Sequence, residues 1–259
     1  MLRFAYSTLN WGETYPLDAM FEEIHQAGWQ AVEMFAQPLN WLGPTAHCRR
    51  GLEQANLTVA TFFGSVGLPT DAQQLTVQQR RIDYAAELGA EAYGLVGGSR
   101  LRWRPPSAAE YKDLARFCEA LAVYGAEKGV IVSYHPHVAC TVETEEEIDT
   151  LMAQTQHLKL CLDVSHIALV EEDPLEHLEK YRDRIGYLHL KDWAKGKFVE
   201  LGEGSLGIDF PAFLKQLDKQ QYAGWVVVEQ SRSDLSPLHS AQVNAGYLRG
   251  LGYSLRPSA

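Results

Sequence analysis

The chain has 259 residues, with 23 Lys and Arg against 33 Asp and Glu, a formal net charge of −10, and 46% hydrophobic residues. That acidity argues against a nucleic-acid partner, whose phosphates need clustered positive charge, and the apolar content suffices for a sizeable core and excludes a disordered chain. Residues 1–7 turn polar too early for a signal peptide, apolar runs such as Trp225–Val228 are far too short for a membrane span, and the cysteines at 48, 118, 140 and 161 form no CxxC pair. The expectation is a single cytoplasmic globular domain over 1–259, with reduced thiols and no membrane partner.

In chain order, short β-branched or apolar runs predict strands at 4–7, 31–35, 58–63, 92–96, 130–135, 158–163, 185–190 and 225–229. Between them lie segments of helical period, such as the stripe Leu17, Met20, Phe21 and Ile24. Ser107-x-x-Glu110 and Thr144-x-x-Glu147 read as capping boxes, and Gly28, Gly89 and Gly129 each stand between a helical pattern and a strand. Eight such units at regular spacing predict an α/β fold closed as a (β/α)₈ TIM barrel, rather than an open doubly wound sheet. Chemistry in such a barrel gathers where strands end and βα loops begin.

The last four strands end in ionisable residues: Tyr134-His135-Pro136-His137, Leu162-Asp163-Val164-Ser165-His166, His189-Leu190-Lys191-Asp192 and Val228-Glu229. Asp163, His189 and Glu229 on successive inward positions would place two carboxylates and an imidazole on one rim. Oxygen and nitrogen donors of that kind suit a divalent cation, Mn²⁺ or Co²⁺ ahead of Mg²⁺ or Zn²⁺. Without a cation two carboxylates so close would repel, and one would take up a proton.

These motifs, with Gly202-Glu203-Gly204-x-x-Gly207-x-Asp209-Phe210, resemble the xylose isomerase-like barrel superfamily of sugar isomerases, epimerases and dehydratases. The His-Pro-His strand, the following Thr141-Val142-Glu143-Thr144 stretch and the early Asn10-Trp11 are most similar to inosose dehydratases. The resemblance implies that Asp163, His189 and Glu229 are three of four metal ligands and that His166 contacts substrate hydroxyls. Where the isomerases and epimerases carry a glutamate on strand five, Ser133 is aligned here. The fourth ligand is then Glu143, His137 or water, with Glu143 preferred.

A 3-epimerase works most simply with a base on each face of the sugar, and only Glu229 of that pair is retained. A dehydratase instead needs one base and one acid. Glu229, or Lys191 with its charge suppressed, could remove the α-proton, and His135, His137 or His166 could protonate the departing hydroxyl. Arg102, within a loop of three arginines, could grip a carboxylate or phosphate, or pair with the acidic surface. Trp11, beside Asn10, together with Trp41 and Trp103, falls on rim loops. Their faces suit the C–H face of a sugar, and a contact between copies, as in a homodimer, explains them equally. Glu33, alone in an apolar strand, reads either as a group supporting the site residues from behind or as a satisfied interior carboxylate, with the latter preferred.

The leading expectation is thus a metal-dependent lyase for a keto-cyclitol or keto-sugar. An isomerase or epimerase of keto-sugars or sugar acids is the rival. The abasic-site nucleases that share this barrel fit the −10 charge poorly, and a non-catalytic sugar-binding barrel comes last.

Overall fold

The computed structural model describes residues 1–35, 37–100 and 104–255. Its main strands are β1 (Arg3–Ser7), β2 (Ala31–Phe35), β3 (Thr58–Val66), β4 (Ala92–Gly97), β5 (Ile131–His135), β6 (Lys159–Asp163), β7 (Ile185–Leu190) and β10 (Trp225–Val228). They form a closed parallel barrel in the order β1-β10-β7-β6-β5-β4-β3-β2, the (β/α)₈ architecture that the alternation predicts. All eight expected strands are found, β3 running on to Val66. A small antiparallel hairpin, β8 (Asp192–Ala194) with β9 (Lys197–Val199), follows β7 and was not foreseen.

The helices are α1 (Leu17–Gln26), α2 (Leu39–Leu42), α3 (Thr45–Gln54), α4 (Ala72–Glu87), α5 (Ala108–Glu127), α6 (Glu145–Met152), α7 (Val164–Leu169), α8 (Pro174–Lys180), α9 (Phe210–Lys219) and α10 (Pro237–Gly250). The stripe on α1 is buried as its spacing requires. Both capping boxes form at the starts of α5 and α6, satisfying amides that a helix leaves open. Gly28, Gly89 and Gly129 take φ of 95°, 83° and 75°, the left-handed conformation that ends a helix. None of the helices among the described residues is long and apolar enough to cross a membrane.

By contact the chain divides into two compact units, Met1–Thr61 with Leu188–Ala259, and Phe62–Tyr187. In the first, β1 pairs Tyr6 with both Val228 and Val32, and Ser7 with Glu33, while β10 pairs Val227 with His189. Trp29, fully buried, donates to the Ala241 carbonyl at 3.0 Å and so ties β2 to α10. In the second, β4 and β5 pair Gly94 with Ser133 and Val96 with His135. Gly94 is required there, since a Cβ would lie 1.9 Å from the Tyr187 hydroxyl and 2.4 Å from the Phe63 ring. Ser133 points to Gly186, whose own Cβ would meet its Oγ at 2.2 Å. It therefore stands two residues below His135 on the same face, and His135 is the residue that β5 presents at its end.

Candidate active site

In the first unit, four buried ionisable residues form a continuous chain. Glu33 at the middle of β2, His189 near the end of β7, Lys191 just beyond it and Glu229 just after β10 are each exposed by 2% or less. Thr61 Oγ1 donates to Glu33 Oε2 at 3.0 Å, and His189 Nε2 lies 3.0 Å from the same oxygen. His189 Nδ1 lies 3.1 Å from Glu229 Oε2. Glu229 Oε1 accepts from Lys191 Nζ, and the Lys191 ammonium lies 3.9 Å from the centre of the Phe198 ring. The unforeseen hairpin thus has a local purpose, since Phe198 on β9 covers the lysine with an aromatic face. Both ring nitrogens of His189 face carboxylates, and burying this many charges is tolerable only because each faces a partner.

Just beyond, Asp192 holds the glycine-rich loop. Its Oδ2 accepts from the amides of Gly202 at 3.0 Å and Gly204 at 2.9 Å, and burial raises its pKa despite those bonds. Gly204 is needed because a Cβ would collide with the Asp192 carboxylate at 1.6 Å.

The second unit gathers imidazoles instead. His135 and His166 are 2% exposed and His137 is half-buried. The His137 and His166 rings have centroids 3.7 Å apart at 40°, and His135 lies 5.6 Å and 5.5 Å from them, near edge-on. His135 Nδ1 donates to the Cys161 carbonyl at 3.3 Å and His137 Nδ1 to the Val138 carbonyl at 2.7 Å. Asp163 is the N-cap of α7, its Oδ1 accepting from the amides of Ser165 at 2.8 Å and His166 at 3.2 Å, while its Oδ2 lies 3.6 Å from His166 Nε2. The loop ahead of α6 is stitched to the end of β4: Arg100 N donates to Ala139 O at 2.8 Å, and Thr141 N and Oγ1 both donate to Gly98 O at 3.0 Å.

The sequence-derived candidates therefore separate into several environments. His189, Lys191 and Glu229 come together, joined by Glu33, for which the preferred expectation is a satisfied interior carboxylate. The signal for it was present, a single carboxylate inside the apolar run Ala31–Phe35. His135, His137 and His166 also come together. Glu143, the expected fourth ligand, stands beside an arginine. Its Oε2 lies 3.3 Å from Arg100 Nη1, and it belongs to none of the metal-capable groups among the described residues. The reason is local: Arg100 is drawn to the capping box by Glu147, which it engages through Nη1 at 2.8 Å and Nη2 at 2.5 Å, and Glu143 sits beside that pair. Arg104 is engaged by Glu110, which its guanidinium and the Ser107 amide hold down at about 2. These two arginines follow the ion-pairing reading, and Arg102 lies outside the described residues. Trp11 is buried, and its indole N–H donates to Glu23 Oε2 at 2.7 Å, so its polar edge serves α1. Asn10 shares its single 3₁₀ turn.

The donor chemistry of the first group fits a divalent cation. Glu33, His189 and Glu229 each offer one ligand atom, all within 4.8 Å of one another. Glu33 Oε1 is buried without a hydrogen bond among the described residues, as an oxygen reserved for a metal would be. A ligand set of two carboxylates and one imidazole also removes the repulsion between Glu33 and Glu229.

Comparison with known proteins agrees with this architecture. A curated inosose dehydratase of Geobacillus kaustophilus is 30% identical over 260 residues, covering 84% of this chain and 81% of the relative. Inosose dehydratases of Clostridium perfringens match at 34% over 161 residues, about half the length of either chain (54%). Among solved structures, the Escherichia coli 3-keto-D-glucoside 4-epimerase superposes with a TM-score of 0.79 at 20% identity, over 96% of this chain and 100% of that one. The IOLI protein with a bound zinc atom gives 0.80 at 16%, over 99% and 100%. Residues 21–251 match the xylose isomerase-like TIM barrel family, and the chain belongs to that family.

Proposed function

We propose that this protein is a metal-dependent lyase that removes water from a keto-cyclitol or keto-sugar, in the manner of an inosose dehydratase. The observation that carries the reading is the buried chain Glu33–His189–Glu229–Lys191, in which a carboxylate and an amine share one hydrogen bond beside a cation-compatible donor group. Support also comes from the Geobacillus relative, an inosose dehydratase by name.

Glu33, His189 and Glu229 would hold the cation. Two of the three, His189 and Glu229, are ligands that the sequence motifs suggest; Asp163 and Glu143, the other two expected ligands, are not part of this group, and Glu33 is added to it. Such a cation supplies Lewis-acid polarisation of a substrate carbonyl. Thr61 fixes the Glu33 carboxylate, a role that commonly sharpens metal affinity. The Glu229–Lys191 pair is the proton-handling unit, one partner accepting the α-proton and the other keeping the charge of the buried site balanced. Asp163 and the histidines at 135, 137 and 166 orient hydroxyls, and one imidazole gives its proton to the departing oxygen as water forms. No carboxylate stands at 131–137, so β5 offers no second base of the kind a two-base epimerase uses.

The test is to incubate Mn²⁺-loaded protein with keto-cyclitols, ketoses and keto-acids in D₂O and weigh the products. A product lighter by one water is expected. Deuterium uptake without loss of water would replace the lyase by an isomerase or epimerase, and no change across the panel would reject both.

A further inference from the structure

The second unit contains a donor group that the proposed metal centre does not use. His135, His137 and His166 each offer a ring nitrogen, and these three atoms lie within 4.8 Å of one another. We propose that they form a cation site of their own, selective for zinc over manganese and magnesium, and that zinc bound there inhibits the enzyme.

Tautomer geometry is the first argument. A carbonyl oxygen only accepts, so the bonds to Cys161 O and Val138 O place the proton of His135 and of His137 on Nδ1. The lone pair of each ring is therefore on Nε2. An imidazole whose far N–H is held by a backbone carbonyl is the arrangement that ligating histidines adopt, because it fixes both tautomer and ring plane. His166 is fixed from its backbone, its amide bound to Asp163 Oδ1 on the first turn of α7, and Asp163 Oδ2 stands 3.6 Å from its Nε2.

Donor type is the second. Three imidazoles without a ligating carboxylate favour zinc-class metals over Mg²⁺ and Mn²⁺, and three histidines with an open fourth position form a common zinc arrangement. The first unit's group is oxygen-rich by contrast. Cys140 Sγ lies 3.6 Å from His137 Nδ1, the nitrogen that carries the proton and not the one that would ligate. The third argument is electrostatic. Rings with centroids 3.7 Å apart cannot both carry charge without strong repulsion, whereas one divalent ion binds all three neutral rings.

The inhibitory consequence rests on the proposed acid role of these imidazoles, since a lone pair on zinc cannot carry a proton. The site itself does not depend on that role. Chelator-treated full-length protein is titrated with Zn²⁺ by calorimetry, and bound metal is counted after desalting in the parent, Glu229→Gln and His137→Gln. Circular dichroism shows that each variant is folded, and His135→Gln replaces His137→Gln if the latter is not. Two equivalents are expected in the parent, one lost in each variant, with binding at the histidines weakened at least about tenfold. Co²⁺ at the histidine equivalent should give the visible bands of a four-coordinate ion, absent in His137→Gln.

A single equivalent lost only in Glu229→Gln would overturn this inference and leave the lyase reading standing. One lost only in His137→Gln would uphold the site and remove the proposed carboxylate centre. A single equivalent lost in both would mean one mixed site and overturn the inference. So would two equivalents that survive His137→Gln. If activity with Mn²⁺ is found, inhibition by the second zinc equivalent in the parent, relieved by chelator, is the functional readout, and its absence would overturn the inhibitory claim.

Discussion

The two units use the same structural device, polar residues near the ends of barrel strands, and reach opposite chemistry. In the first, two carboxylates flank one imidazole, and a buried ammonium closes the chain. In the second, three imidazoles cluster and the nearest carboxylate, Asp163, gives one oxygen to capping α7. The difference follows from where each side chain stands relative to the backbone that comes next. Glu33 and His189 lie within strands whose own amides are satisfied by the sheet, so their polar atoms are left to one another. Asp163 is followed at once by a helix whose first amides need an acceptor. The donors of the first unit thus suit the hard or borderline cation proposed there, and those of the second suit hydrogen bonding and the proposed nitrogen ligation.

The sharpest way to break this contrast is Glu229→Gln. It removes a ligand and half of the proton-handling pair together, so turnover should fall by about 10⁴-fold with loss of the carboxylate-bound metal. Product mass spectrometry and metal counting on the same sample check both effects. Full turnover would show that the first unit is not the reacting centre. Lys191→Met comes next. It leaves Glu229 without its buried cationic partner, an effect that costs about 3–5 kcal/mol in comparable pairs, read as a lowered urea midpoint in metal-free protein. Added divalent metal should restore part of that loss if Glu229 is a ligand. An unchanged midpoint would mean that Glu229 is not held as an anion.

Asp163→Asn separates two functions in the second unit. Asparagine caps a helix about as well as aspartate, so stability should change by no more than about 0.5 kcal/mol. The charge beside His166 disappears, however, and turnover should fall by about 10²-fold, seen in kcat. Unchanged turnover would reduce Asp163 to a cap alone.

Much of the fold was legible because its determinants are local. Strand runs, the capping boxes at Ser107 and Thr144 and the helix-ending glycines act within a few residues, and the structure has each of them. The site was legible only in part. His189, Lys191 and Glu229 share adjacent strands and announce themselves by type, but Glu33 joins them through pairs 156 and 28 residues apart in sequence. A carboxylate in an apolar strand has the same sequence signature whether it lines a site or fills a core. For Glu143 the converse holds, since its place just ahead of α6 does not announce the Arg100 guanidinium that stands 3.3 Å from it. Ser133 shares the face of His135 by periodicity, two residues before the end of β5, and faces Gly186.

The smallest effect concerns the Arg100–Glu147 ion pair beside Glu143. Burial pushes the Glu147 carboxyl upward, but Arg100 and the amide of Glu143 outweigh it, so its folded pKa is lowered. A lowered folded value means that its contribution to stability is complete above the unfolded carboxyl value, about 4.3, and is lost as pH falls through the folded one. Glu147→Gln keeps a residue that can complete the capping box and removes only the charge. Its deficit against the parent should be about 1 kcal/mol or less at neutral pH, as partly exposed ion pairs give, and should shrink as pH falls through the lowered folded value. Thermal unfolding of both proteins from neutral pH down through the acid range reads this directly. A deficit that persists in acid would show that Glu147 orders the loop by shape, and would free Arg100 and Glu143 from the electrostatic account of why that glutamate stands apart.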